Sequence, residues 1–165
     1  YALTGLLFLA LWAALKRASP PLMAIVLMLE LVGITTYFAS TAAFEMLSLS
    51  SQYMAASTDA QRAMFLAAGQ AMLVTWQGTA FNVSYILSAV ALLIVSAVML
   101  RSHLFSKFTA YVGIVAGVLM LVPPTAGMLG LVLSLLSLIP TALWLMLIAR
   151  RLFQLAKEAR YDTNT

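Results

Sequence analysis

Long apolar runs separated by short polar breaks are the feature that most constrains this chain. The runs occupy residues 1–15, 22–41, 78–100, 108–122 and 125–148. About 20 apolar residues in a helix cross a hydrocarbon core about 30 Å thick. In lipid, the backbone N–H and C=O groups must form hydrogen bonds within their own segment, and this favours helices. The sequence therefore predicts an all-α polytopic transmembrane helical bundle with about five spans.

Composition narrows the class of protein and of partner. With 64% hydrophobic and 8% charged residues, the chain fits a single membrane domain over residues 1–165. No cysteine is present, which excludes disulfides and thiolate chemistry. The net charge is +4, and the Lys and Arg residues that produce it lie mostly at the ends of the apolar runs, where the positive-inside rule places them. We therefore expect the lipid bilayer, and no nucleic acid, as a partner.

The polar breaks mark where one predicted span ends and the next begins. Pro20 and Pro21 form a tight turn before the second span, which we expect from Leu22, and Pro123 and Pro124 close the fourth. The first run, from Tyr1, is only about 22 Å long as a helix, so we expect a further segment before it. Residues 45–77 form the one long excursion, and residues 150–165 form a polar tail.

The excursion contains one predicted helix, from Asp59 to Gln77. Thr58 and Gln61 have the spacing of a capping box. Apolar side chains at Met64, Phe65 and Met72 then recur at helical spacing. This pattern predicts an amphipathic helix at the outer membrane surface, with a break near Gly78 before the third span.

Charge placement predicts the orientation. Arg62 lies in the excursion, and every other Lys and Arg lies on the opposite side of the predicted spans. The positive-inside rule then places the C-terminus in the cytoplasm and residues 45–77 outside. The expected location is the plasma membrane, crossed several times.

Glu30 is the sharpest candidate for a functional residue. It lies about 12 Å into the second span, and no Lys or Arg lies in any span to pair with it. Ionisable residues inside a membrane are functional candidates by default. We expect a neutral carboxyl that faces protein. It serves either as a proton or substrate group, or as a structural carboxyl that bonds a neighbouring helix or a cation in a preceding segment.

Polar and small side chains on several spans predict either a pocket or helix contacts. The polar faces of the second and third spans could meet in an outward-opening polar pocket lined by Glu30, Tyr37, Asn82 and Tyr85. Alternatively, these residues make ordinary packing contacts between helices. A second group consists of small residues expected at helix contacts: Gly113, Gly117, Gly130, Ser134 and Ser137.

Catalytic and metal-binding motifs are missing from the sequence. His103 is the only histidine and cannot by itself form a bis-histidine haem site or a histidine-rich zinc site. No phosphate loop, zinc protease motif or nucleophile elbow is present. The ten methionines are scattered at apolar positions, as in a packed interior. The sequence therefore predicts no enzyme activity, no metal and no cofactor.

Three stretches carry a family resemblance. They are "YFASTAAFEMLSLSSQYMAASTDAQRAMFLAAGQAML", "QGTAFNVSYILSAVALLIVSAVMLRSHLFSKFTAYVGI" and "LIARRLFQL". The chain resembles the bacterial integral-membrane proteins of domain-of-unknown-function family 4386. The resemblance implies a multi-spanning protein of the bacterial plasma membrane with a further N-terminal helix. It implies no particular activity.

Two functional classes remain open. A structural or accessory subunit of a membrane assembly needs packing faces and a docking surface for another membrane chain or a second copy. The stripe of Met64, Phe65 and Met72 offers such a surface, or it binds the headgroup boundary. A small-molecule or proton-coupled carrier would use the Glu30 pocket, but the sequence shows no repeated halves or interrupted pair of spans. The sequence favours the subunit.

Overall fold

The computed structural model describes the backbone of residues 1–162 and the side chains of residues 1–158. Within that range the chain is helical and contains no strand. Seven helices follow one another: α1 Ala2–Leu15, α2 Pro20–Ser40, α3 Ala43–Ala55, α4 Asp59–Trp76, α5 Thr79–Arg101, α6 Lys107–Leu119 and α7 Gly127–Asp162. The all-α class expected from the sequence is confirmed.

Three helical stretches are long and apolar enough to cross a membrane: Pro20–Ala55, Asp59–Arg101 and Gly127–Glu158. The chain therefore has the character of a helical membrane protein. The other two expected spans correspond to α1 and α6, which have 14 and 13 residues. Both are apolar but shorter than the length usual for a span.

Helix α5 is the centre of the bundle. It packs most extensively against α2 and also against α6, while α1 packs on α2 and α7 on α6. The core is fully apolar where Leu11 and Leu15 of α1 meet Met23 of α2 and Met99 of α5. Trp144 of α7 belongs to the same core. The core thus lies in the half of the bundle where α1 and α5 end.

The break expected near Gly78 is present between α4 and α5. Gln77 and Gly78 leave the helical conformation, and a Cβ at Gly78 would lie 2.9 Å from the carbonyl oxygen of Thr75. Asn82 stabilises the break, because its Nδ2 donates hydrogen bonds to the carbonyl oxygens of Gln77 and Gly78 at 3.2 and 2.9 Å.

The outer segment differs from the sequence prediction, because it contains two helices rather than one. The predicted cap of α4 is present: the N–H of Gln61 donates to Thr58 Oγ1 at 3.3 Å. The additional helix, α3, contains Ser48, Ser50 and Ser51, which have low helix propensity. Packing against α4 overrides that propensity. The two helices form a hairpin, α3–α4, which we call the outer hairpin after the side on which the sequence predicts it.

The last helix is also longer than predicted. We expected it to end near Ile148, but α7 continues to Asp162. No Gly or Pro interrupts residues 149–162, and Arg151 pairs with Glu158 at 3.1 Å across two turns. Most of the predicted tail is therefore helical, and its residues 163–165 lie outside the described part.

Candidate functional site

Glu30 lies at the junction of three helices. Its side chain on α2 is only 2% exposed. The Oγ1 atom of Thr4, on α1, lies 2.9 Å from Glu30 Oε1. Gly33, one turn further along α2, brings α5 close, because a Cβ there would lie 3.3 Å from Ser88 Oγ. The hydroxyl of Ser88 lies beside the Glu30 carboxyl. Glu30 thus faces protein, among hydroxyl groups.

The carboxyl is unpaired and only partly bonded. In the described part of the chain the ion pairs are Arg62–Asp59 and Arg151–Glu158, so no cation neutralises Glu30. Its Oε2 atom is buried without a hydrogen-bond partner. A buried carboxylate in that situation would cost several kcal/mol. The surroundings therefore favour the neutral acid.

Two stacked tyrosines lie next to this polar cluster. The rings of Tyr1 and Tyr37 stack with centroids 3.9 Å apart and planes 9° apart. The hydroxyl of Tyr1 lies 3.3 Å from Ser88 Oγ. Tyr37 is thus joined to the Glu30 cluster through Tyr1 and Ser88.

The other two residues of the predicted pocket make polar contacts with residues of α7 or just before it. Asn82 accepts a hydrogen bond from Thr125, which precedes α7, and uses its amide to stabilise the α4–α5 break. Tyr85 packs near the ring of Phe81 and lies beside Ser137 of α7. The four residues therefore divide between the Glu30 cluster and the contacts of α5 with α7.

The sequence reasoning missed Tyr1, Thr4 and Ser88. Thr4 is the only hydroxyl side chain in α1, and Ser84 and Ser88 lie one helical turn apart on α5. Such isolated hydroxyls in apolar helices are the signal that could have identified them.

The two glycines of α6 named from the sequence, Gly113 and Gly117, lie where other helices approach closely. A Cβ at Gly113 would meet Ser96 Oγ and lie 2.5 Å from Trp144 Nε1, and both of these buried polar atoms lack a hydrogen-bond partner. A Cβ at Gly117 would lie 2.7 Å from Leu93 Cγ.

The corresponding residues of α7 make mostly local contacts. Gly130 packs on the carbonyl oxygen of Pro123. The hydroxyl of Ser134 donates to the carbonyl oxygen of Leu131, and that of Ser137 donates to the carbonyl oxygen of Ser134. These serines are therefore satisfied within their own helix.

The outer hairpin has an apolar groove on one side. The groove has a volume of about 310 Å³ and is lined by Met46, Leu49, Ser50, Tyr53, Phe65, Leu66, Gly69, Gln70 and Leu73. On the other side, Glu45, Ser48 and Gln52 line a more polar depression. No residue within α3 or α4 is buried. The predicted stripe is split, since Phe65 lines the groove and Met72 the polar side.

A basic cleft lies at the end of the bundle where α1 and α5 stop. Its volume is about 570 Å³, and it is lined by Ala13, Ala14, Lys16, Arg17, Ala18, Arg101, Ser102, His103 and Leu104. Arg151 of α7 donates from Nε to the carbonyl oxygen of Leu104 at 2.7 Å. The loop that forms one wall of the cleft is therefore attached to α7.

Comparison with known protein families gives a match over most of the chain. The profile of the family described as "Domain of unknown function (DUF4386)" matches residues 2–155. No curated protein and no solved structure matches the chain.

Proposed function

The chain belongs to the DUF4386 family, whose description assigns no activity, and on that premise we propose that it is a non-enzymatic structural or accessory subunit of a membrane assembly. The groove of the outer hairpin is the observation that carries this proposal. A concave surface lined by apolar side chains is typical of a site for a helix or a large side chain. Exposed apolar patches of this kind mark interaction sites.

The proposed occupant of the groove is an apolar helix of another membrane chain. Helices that lie on a lipid surface carry many Lys and Arg residues on their polar face. The outer hairpin has Arg62 as its one basic residue, and Arg62 pairs with Asp59 at 3.6 Å. Its polar side also carries Glu45. This charge pattern favours a protein partner over anionic headgroups.

We further propose five spans in the bacterial plasma membrane, with the hairpin outside and the C-terminus in the cytoplasm. The cations at the ends of α1, α5 and α7 support this orientation. Helices α1 and α6 are each about 20 Å long. Local thinning of the bilayer accommodates short spans of this kind at modest cost.

Gentle detergent purification from native membranes, followed by mass determination, tests the subunit proposal. We expect a stoichiometric partner that is lost from the groove variant Leu66→Gln/Leu73→Gln. The control Phe44→Gln/Val74→Gln changes exposed apolar residues outside the groove and should retain the partner. A second copy as the partner would place the helix of an identical chain in the groove.

A lone monomer would contradict the subunit proposal. If the thermal stability of that monomer rose with one small metabolite, and Glu30→Gln abolished the effect, the carrier would become the better hypothesis. The buried, incompletely bonded Glu30 is the observation that keeps this second hypothesis open.

A further inference from the structure

The basic cleft concentrates positive charge from two separate parts of the chain. Lys16 and Arg17 follow α1, whereas Arg101 ends α5 and His103 follows it. All four side chains belong to exposed residues. The fold thus brings the cations Lys16 and Arg17 and the cation Arg101, about 85 positions away in the sequence, around one cavity.

Among the side chains of residues 1–158, none that lines this cleft is acidic. Among the described side chains, acidic partners are found only for Arg62 and Arg151. Lys16 instead places its Nζ atom 4.8 Å from the centre of the Trp12 ring. Within residues 1–158, the charges of Lys16, Arg17 and Arg101 therefore have no acidic counterion.

We propose that the cleft binds a phosphate group, supplied by the headgroup of an anionic phospholipid. Guanidinium groups bind phosphate oxygens through paired hydrogen bonds, and an ammonium group adds charge. Basic pockets between membrane helices bind anionic headgroups in this way. Arg17, after α1, and Arg101, at the end of α5, supply the guanidinium groups, and Lys16 supplies the ammonium group.

The walls of the cleft favour a lipid over a free phosphate ion. Ala13 and Ala14 give it an apolar side along α1. Trp12 lies next to the cations, where the headgroup level of a membrane is expected. A ligand that carries both a phosphate and an apolar portion can contact the cations with the one and the alanines of α1 with the other. This inference rests on the chain's lying in a membrane and is independent of a partner for the outer hairpin.

Lipid binding to the purified protein tests this site. The probes are phosphatidylglycerol, phosphatidylcholine and inorganic phosphate, followed by native mass spectrometry and thermal unfolding. The cleft variant is Lys16→Gln/Arg17→Gln/Arg101→Gln. The control, Lys107→Gln/Arg150→Gln/Lys157→Gln, removes the same charge from the same end of the bundle but outside the cleft.

We expect wild type and control to retain phosphatidylglycerol, with phosphatidylcholine bound at least about tenfold more weakly, and the cleft variant to lose that preference. Equal losses in the two variants would assign the effect to general surface charge and overturn the site. Stabilisation by millimolar phosphate alone would overturn the lipid as its source. Equal retention of both lipids by wild type would overturn the proposal without any variant, and it would leave the subunit proposal unaffected.

Discussion

At the scale of single residues, two contacts of Thr4 bear on the protonation of Glu30. Thr4 Oγ1 lies 2.7 Å from the carbonyl oxygen of Tyr1 and 2.9 Å from Glu30 Oε1. A hydroxyl has one proton to donate, and a carbonyl oxygen only accepts. Both contacts are hydrogen bonds at once if a protonated Glu30 donates to Thr4, which donates to Tyr1. This arrangement is consistent with the neutral acid that the burial of Glu30 favours.

We therefore expect Glu30→Gln to fold with thermal stability close to that of wild type. The glutamine amide can replace the acid as a donor to Thr4, whereas Glu30→Ala loses about 2 kcal/mol through a cavity and a lost bond. Thr4→Val should cost about 1 kcal/mol. Thermal unfolding in detergent, followed by circular dichroism, measures these differences.

Thr35→Val is the matched control for Thr4→Val. The hydroxyl of Thr35 donates only to its own helix, at the carbonyl oxygen of Leu31, so its loss should change stability little. A misfolded Glu30→Gln beside a tolerated Glu30→Ala would refute the neutral, hydrogen-bonded carboxyl.

At the scale of helices, the sequence predicted local features of a helix better than the contacts between helices. The pattern of Thr58 and Gln61 predicted the start of α4, because a cap depends on neighbouring residues only. Helix α3 was missed because packing against α4 stabilises it, and local propensity does not report packing.

The candidate site was predicted in part for the same reason. Helical spacing placed Glu30 and Tyr37 on one face of α2, since that relation is local. The partner of Asn82 is Thr125, 43 positions away, and that of Glu30 is Thr4 on another helix. Such pairings depend on how helices are arranged in three dimensions, which a single sequence does not specify.

The contact of α6 with α5 and α7 gives a prediction at this scale. Gly113→Ala should destabilise the protein by about 1–3 kcal/mol, because the new Cβ would meet Ser96 and Trp144. Gly113→Leu should cost more. Gly69→Ala is the control: apart from its chain neighbours and the backbone of its own helix, no atom lies within 4 Å of a Cβ placed there, so helix propensity should make it neutral or stabilising. Equal thermal unfolding of the two alanine variants would contradict the close contact.

At the scale of the whole molecule, charge and apolar surface divide between opposite ends. The cations of the cleft lie where α1 and α5 stop, whereas the outer hairpin extends beyond α2 and α5 at the other end. Lipid phosphate at one end and a protein helix at the other would fix the bundle in depth and in orientation. The two proposals are thus compatible in one membrane-embedded chain.

Single-cysteine labelling in intact cells tests this arrangement, and it separates five spans from three. The chain has no cysteine, so Ser57→Cys and Lys157→Cys each give one thiol, and both positions are exposed. With five spans, α5, α6 and α7 all cross between these positions, and they lie on opposite sides. Ser57→Cys should then react with a membrane-impermeant reagent, and Lys157→Cys should react only after permeabilisation. If α6 did not cross, both thiols would react in intact cells. Labelling of Lys157→Cys alone would reverse the proposed orientation.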